Sequence, residues 1–201
     1  MSTRYAVLLR GVNVGGVTVR SADLRAGLEE AGFDDVRTVL ASGNALVSAD
    51  DEDRRGTDSQ GAGPADVRSR AEAALLARFD REVRVVVRSQ TELSAIVGAC
   101  PYPADSETHH AYVVLLGDPD EAGAAWPAVS VAVAASSEGS SDTSTAEPVD
   151  ETVTSGDGVL YWWCPRGSSL TTPVSKAVDK LSRTTLTTTR NIRTLARLTS
   201  G

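Results

Sequence analysis

Residues 8–16 read LLRGVNVGG, and this stretch decides where the first strand of the fold ends. The run from Tyr5 to Arg10 has the apolar composition of a β-strand, and Gly11 ends it. Three glycines within six positions then allow the backbone to lie close to another group. Because loops carry function more often than the elements that they connect, we expect a functional site in this loop.

The segments that follow predict a ferredoxin-like β-α-β-β-α-β subdomain over residues 1–89. Apolar positions at helical spacing follow a helix cap at Ser21, and Gly32 ends that helix. A hairpin-type turn at 41–44 joins two short strands. The predicted elements are strands at 5–10, 36–40, 45–48 and 83–88, and helices at 21–31 and 65–79.

Residues 90–201 predict a second α+β subdomain, a degenerate copy of the first. Residues 135–157 are rich in Ser, Thr, Asp and Glu, which indicates an acidic, solvated loop of low complexity. The predicted elements are strands at 111–116 and 159–164, helices at 91–99 and about 119–126, a helix capped by Thr172, and a basic C-terminal helix at about 190–198. We therefore expect an α+β fold of two packed subdomains.

Composition excludes several classes of protein. The chain of 201 residues is 41% hydrophobic with a net charge of −7, which favours a soluble globular protein over a basic nucleic-acid-binding domain. Cys100 and Cys164 lack the spacing of a disulfide scaffold or a metal site, which favours a reducing compartment. The first apolar run is too short for a signal peptide or a membrane span. We expect a cytoplasmic protein without a membrane partner.

Element order places two polar loops on one edge of the first predicted sheet. In a β-α-β-β-α-β unit, the loop after the first strand and the turn between the second and third strands lie at the same end. The glycine loop at 11–16 and the turn at 42–44 therefore converge, beside the Asp80-Arg81 junction. We expect one site at this edge rather than two unrelated loops.

The residues at this edge are typical of anion recognition. Arg10 presents a planar fork of donors that suits phosphate or carboxylate, and Gly15 and Gly16 can direct backbone amides inward as an anion-binding nest. Amide and hydroxyl groups are added by Asn13, Ser42 and Asn44. Turn chemistry alone also accounts for these residues, and no P-loop or dinucleotide-binding pattern is present.

The C-terminal run at 187–198 has an amphipathic pattern. On a helical wheel Arg190, Arg193 and Arg197 fall within roughly 60° of one another, opposite the apolar residues. These arginines form either a basic surface for phosphates or nucleic acid, or the solvated face of a docked terminal helix.

The remaining reactive residues do not form a recognisable catalytic or metal centre. His109 and His110 are adjacent on a predicted strand and point to opposite faces, which argues against a shared metal ion. Cys164 has no histidine near it in sequence, which favours a buried thiol. The run Tyr161-Trp162-Trp163 is either core packing, which we favour, or a base-stacking platform. We expect no metal ion and no cofactor.

Three motifs resemble those of the bacterial domain-of-unknown-function 1697 family. They are LLRGVNVGG at 8–16, ASGNALVS at 41–48 and TTRNIRTLARL at 188–198, and the intervening CPYP and YWWCPRG segments also match. The resemblance covers nearly the whole chain and implies two packed α+β subdomains with a ferredoxin-like N-terminal part. It implies no catalytic residue, because no activity is assigned to the family.

The resemblance also groups the candidate ligand-binding residues. The residues shared with the family pattern are Arg10, Asn13, Gly15, Gly16, Ser42, Gly43, Asn44, Arg190 and Asn191. They would form one polar cluster if the C-terminal helix docks beside the loop edge. After Asn191 the family pattern continues with Trp-Asn, where this chain has Ile192 and Arg193.

The converging loops favour one function over two others. The leading hypothesis is binding of an anionic, phosphorylated small molecule or a nucleic-acid fragment at these loops. A phosphoester-acting enzyme would need a nearby acid or base, for which Asp80 is the local choice. An interaction protein would use the basic C-terminal helix as its binding surface.

Overall fold

In the computed structural model, the described residues 2–12, 18–40, 43–50, 63–137 and 150–200 form two α+β units. Residues 1–97 and 194–201 make up the first unit, and residues 98–193 make up the second. The strands are β1 Ser2–Leu9, β2 Asp34–Thr38, β3 Asn44–Asp50, β4 Val85–Ser89, β5 His109–Leu116, β6 Thr152–Gly156, β7 Val159–Pro165 and β8 Thr187–Asn191. The helices are α1 Ser21–Glu30, α2 Pro64–Phe79, α3 Gln90–Gly98, α4 Ala122–Ser137, α5 Pro173–Leu181 and α6 Ile192–Thr199, and a 3-10 turn covers Pro119–Glu121.

The first unit has the predicted ferredoxin-like order. Its four-stranded sheet has the order β2-β3-β1-β4, and each neighbouring pair is antiparallel. Alternate residues of the strands, such as Val7, Leu9 and Val87, share a buried cluster with Leu24 and Leu28 of α1 and with apolar residues of α2. Both helices therefore cover one face of this sheet. Ser21 is the first residue of α1 rather than its cap, because Arg20 occupies the cap position.

The second unit repeats the same architecture. Its sheet has the order β6-β7-β5-β8, again antiparallel throughout, and α4 and α5 follow β5 and β7. The side chains of Val114, Leu160 and Trp162 form a buried cluster with Val129 of α4 and Val174 of α5. The α+β fold is thus confirmed, and the second unit contains all six elements of the β-α-β-β-α-β pattern.

Two segments of the second unit differ from the sequence-based prediction. Residues 152–156, predicted as part of the acidic loop, form β6, and residues 187–191, predicted as helix or its approach, form β8. Each of these strands gains its backbone hydrogen bonds from a neighbouring strand, β6 from β7 and β8 from β5. Pairing with a strand that is distant in sequence therefore overrides the helical spacing of the arginines. The predicted short helix at 119–126 was wrong in extent, because α4 continues to Ser137.

The chain passes between the two units at two points. Contacts divide the chain after Val97 and after Arg193, whereas the sequence suggested a single boundary after residue 89. Residues 90–97 of α3 and 194–199 of α6 belong to the first unit, and the amide Nε2–H of Gln90 donates to the carbonyl oxygens of Leu198 and Thr199. Among the described residues, no helix combines the length and the apolar character needed to cross a membrane.

Candidate functional site

Three strand ends meet at one edge of the first sheet. The amide of Leu9 donates to the carbonyl oxygen of Gly43 at 2.9 Å, and the amide of Arg10 donates to the carbonyl oxygen of Arg84 at 2.9 Å. The end of β1 is therefore held between the start of β3 and the residue that precedes β4. We call Arg10, Gly43, Asn44 and Arg84 the first-sheet edge; the structure places three of the predicted residues together there.

Gly43 is required by the packing of this edge. Its φ of +69° lies in the left-handed region, and a Cβ atom there would lie 2.5 Å from Cγ2 of Val12 and 3.0 Å from Cβ of Leu9. The chain leaves β1 through Gly11, whose φ is +66°, and an added Cβ there would meet no atom of the described residues within 4 Å. Both glycines thus serve backbone geometry, and Gly43 is also fixed by close contact.

Asn44 stabilises the turn before β3 through hydrogen bonds to Val39. Its side chain is buried, and Nδ2 donates to the carbonyl oxygen of Val39 at 3.1 Å. The amide of Val39 donates in return to the carbonyl oxygen of Asn44 at 2.9 Å. Asn44 therefore links the start of β3 to Val39, whereas the side chain of Arg10 is half-buried and that of Arg84 is exposed.

Arg84 is a second cation of this edge, which the sequence did not predict. Two neighbouring carboxylates offset its charge. Its Nε lies 3.2 Å from the carboxylate of Glu72, which also accepts a hydrogen bond from the amide of Val85 at 3.0 Å. The carboxylate of Glu82 lies 3.9 Å from Nη1 of Arg84. Asp80 has a positive φ of 48° at the end of α2, so its place in the structure is that of a helix cap.

The second unit provides an internal comparison for this edge. The amide of Gly117 donates to the carbonyl oxygen of Leu186 at 2.6 Å, as Arg10 does to Arg84. Strand register makes Gly158 the counterpart of Gly43, and its φ of +66° is nearly the same. The fold therefore requires the glycine of the hairpin, but it accepts glycine at the position of Arg10.

The other predicted ligand-binding residues divide into two groups. Asn13, Gly15, Gly16 and Ser42 lie outside the described residues. Arg190 and Asn191 belong to β8 in the second unit, not to a C-terminal helix.

The two residues of β8 have structural partners. The Nη1 group of Arg190 donates to Oγ1 of Thr188 at 2.7 Å and to the carbonyl oxygen of Thr189 at 2.9 Å, and burial lowers the pKa of this guanidinium to about 10. Asn191 Oδ1 accepts a hydrogen bond from the amide of Arg193 at 2.9 Å, at the start of α6. The expected stripe of three arginines on one helix was wrong, because Arg190 precedes the helix.

Comparison with protein families assigns the chain to one family. A family model described as a protein of unknown function (DUF1697) matches residues 2–138. The chain belongs to the DUF1697 family. Its fold is similar to that of the conserved bacterial protein SP0830 from Streptococcus pneumoniae, with a TM-score of 0.67 and 22% identity over 100% of this chain and 98% of that one. An unknown protein from Galdieria sulphuraria aligns over 95% of this chain and 98% of that one, with a TM-score of 0.23 and 14% identity. No curated protein matches the sequence.

In this DUF1697 chain the side chain of Cys164 is buried and that of His109 packs against an aromatic ring. Burial raises the pKa of the Cys164 thiol to about 12, which disfavours a thiolate nucleophile. The ring of Trp163 stacks on His109 and Tyr102, with centroid distances of 4.9 and 5.3 Å. Across the described part of the chain, no group of three or more His, Cys, Asp or Glu residues could hold a metal ion.

Sequence reasoning missed one buried carboxylate in this DUF1697 chain. Glu151 lies within the predicted solvated loop, yet it is buried. Its two oxygens accept hydrogen bonds from the indole Nε1–H of Trp162 and the backbone amide of Val174, both at 3.0 Å. A carboxylate at the first turn of α5 is also favoured by the helix dipole. Glu151 thus joins α5 to the sheet in the second unit.

Proposed function

We propose that this protein binds an anionic, phosphate-bearing ligand at the first-sheet edge, with Arg10 as the principal cation. One observation carries the proposal: Arg10 stands where the second copy of the same architecture has Gly117. The architecture therefore does not itself require an arginine at that position, and we assign Arg10 to recognition of a ligand.

The chemistry of the edge supports an oxyanion as the ligand. A guanidinium presents several donors in one plane, which match two oxygens of a phosphate at once. Gly11 follows Arg10 with a positive φ of +66°, and no atom of the described residues lies within 4 Å of a Cβ at that position. Backbone amides in a glycine-rich loop can contribute further donors to the same anion. Arg84 contributes less, because Glu72 and Glu82 offset its charge.

A small phosphorylated molecule fits the chain better than a long nucleic acid. The net charge of −7 opposes the close approach of a polyanion, whereas a single phosphate needs only a local cation. A nucleic-acid fragment is the alternative outcome of the test. We place this activity in the cytoplasm, because Cys100 and Cys164 are free thiols of the kind that persist in a reducing compartment.

A thermal-shift screen tests the proposal. Sugar phosphates, nucleotides, inorganic phosphate and short RNA are added to the wild-type protein, to Arg10→Gln and to Arg25→Gln. The control removes the same charge from an exposed arginine of the first unit that pairs with Glu29 at 2.7 Å. We expect at least one phosphorylated compound to raise Tm more in the wild type and the control than in Arg10→Gln. If equal shifts occur in all three proteins, Arg10 does not bind the ligand, and if no compound raises Tm, the proposal fails.

A further inference from the structure

A second group of cations lies in the second sheet, at the end where β5 begins and β7 and β8 end. Gly117 and Gly158 lie at the other end of the same sheet. It consists of His110 on β5, Arg166 after β7 and Arg193 at the start of α6, and we call these three residues the second-unit cationic cluster. All three belong to residues 98–193. The cluster is separate from the first-sheet edge, since it contains none of the residues of that edge.

Both arginines of the cluster are held by one loop. Arg166 donates from Nε and Nη2 to the carbonyl oxygen of Ser106, at 3.2 and 2.5 Å. Arg193 donates from Nε to the carbonyl oxygen of Ala104 at 2.6 Å. Two exposed guanidinium groups are therefore anchored to carbonyl groups of the same short loop, two residues apart. Without a ligand, holding these two cations in place is unfavourable in free energy, because the side chains lose conformational entropy and the two charges repel each other.

The imidazole of His110 lies within the field of both guanidinium groups. Burial lowers the pKa of His110, and the charges of Arg166 and Arg193 lower it further. Strand register places His110 opposite Cys164, and the ring of Tyr112 meets it edge-on at a centroid distance of 5.8 Å. The neutral ring can donate one hydrogen bond to an anion, and the protonated ring can donate two.

No carboxylate among the described residues neutralises the two arginines. Asp105 lies between the two carbonyl groups that hold them, but it forms no ion pair with either guanidinium within the described part of the chain. The carboxylate of Asp150 lies 3.6 Å from Nε2 of His109, which points to the other face of β5. Nη1 of Arg166 and both Nη groups of Arg193 have no partner within the described residues.

We propose that the second-unit cationic cluster is a binding site for a phosphate monoester. A terminal phosphate carries a charge of about −1.5 to −2 and three acceptor oxygens, which two guanidinium groups and an imidazole can match. A carboxylate has only one charge and two oxygens, so it would offset less of the repulsion between the two guanidinium groups than a phosphate does. The site is independent of the ligand proposed for Arg10.

Titration with inorganic phosphate and methyl phosphate tests this site. The side-chain ¹⁵N resonances of the two histidines are followed by NMR, with His110→Gln to assign them and sodium chloride at matched ionic strength as the reference. We expect a saturable shift of the His110 resonances that exceeds the shift of His109. In Arg166→Gln and in Arg193→Gln the affinity should fall about tenfold, as expected for the loss of one charged hydrogen-bonding partner.

Two controls separate this site from other effects. Arg183→Gln removes the same charge from the same unit, at an exposed residue 3.7 Å from Asp179, and should leave the His110 titration unchanged. Arg10→Gln should also leave it unchanged, so that either proposal can fail alone. The inference is overturned if His110 in the wild type shows no saturable shift beyond that in chloride, or if folded Arg166→Gln and Arg193→Gln proteins bind phosphate as the wild type does.

Discussion

The amide of Leu9 and the carbonyl oxygen of Gly43 form a 2.9 Å hydrogen bond that joins the end of β1 to the turn before β3. The same two residues are in close contact, because a Cβ at Gly43 would lie 3.0 Å from Cβ of Leu9. This bond joins the last residue of β1 to a residue of the turn that the sequence predicts at 42–44. The position of Arg10, one residue beyond Leu9, is thereby set by the core of the first unit.

Replacement of Gly43 by alanine should destabilise the first unit. The new Cβ would require both a left-handed backbone and a contact of 2.5 Å with Val12, so we expect a loss of about 2–5 kcal/mol. Gly11→Ala is the matched control, because its φ is also positive but an added Cβ there meets no atom of the described residues, and it should cost about 1–2 kcal/mol. Urea unfolding of the three proteins measures the difference. Equal losses in both variants would show that contact with Val12 and Leu9 does not matter.

Removal of the Glu151 carboxylate should weaken the second unit. Glu151→Ala leaves the indole N–H of Trp162 and the amide of Val174 without their acceptor, at a cost of roughly 2–5 kcal/mol in the free energy of unfolding. Glu151→Gln retains one oxygen and should lose about half as much. Chemical unfolding followed by tryptophan fluorescence measures both. An alanine variant as stable as the wild type would contradict the role of Glu151 in joining α5 to the sheet.

Deletion of residues 188–201 should prevent the protein from folding. The deletion removes most of β8, which pairs with β5, and the buried side chains of Ile192, Leu195 and Leu198. Loss of three buried side chains of this size costs about 6–15 kcal/mol, which is as large as the whole stability of a typical domain. Circular dichroism and thermal unfolding of the truncated chain check this expectation. A folded truncated protein that has lost only a binding partner would instead favour the use of the C-terminal segment as an interaction surface.

The sequence predicts the first unit better than the second for a physical reason. The elements of the first unit have local signals, such as the glycines that end β1 and the apolar spacing of α2, and the order of these elements determines which loops meet. In the second unit β6 and β8 depend on partners from other parts of the chain. Thr187–Thr189 favour a strand by composition, yet the arginines at 190, 193 and 197 also fit a helix, and pairing with β5 decides between them.

The candidate site is likewise only partly predictable. Arg10 and Gly43 are predicted because glycine-rich loops and the order of elements along the chain can be identified in the sequence. Arg84 and Glu151 are missed, because their surroundings depend on residues that are distant in sequence, Glu72 for the first and Trp162 and Val174 for the second. Burial of a charged side chain is a property of packing, which a one-dimensional pattern does not contain.

Stability should depend on pH through His110. Burial and the charges of Arg166 and Arg193 lower the pKa of His110 in the folded protein below its ordinary value of about 6.5. The unfolded chain therefore takes up a proton first as the pH falls, and stability is lost between about pH 6.5 and the lower folded pKa. In His110→Gln this part of the pH dependence should disappear. Urea unfolding at a series of pH values compares the two proteins, and identical profiles would contradict the lowered pKa.

Titration of the wild-type protein with inorganic phosphate, followed through the NMR resonances of Arg10 Nε–Hε and of two backbone amides, tests the central claim most directly. The amides are those of Gly43 and of Gly158, its counterpart in the second copy of the fold. We predict a saturable shift of the Arg10 and Gly43 resonances and no comparable shift at Gly158. Shifts that are equal at Gly43 and Gly158, or an Arg10 resonance that does not move, would contradict an anion site specific to the first-sheet edge.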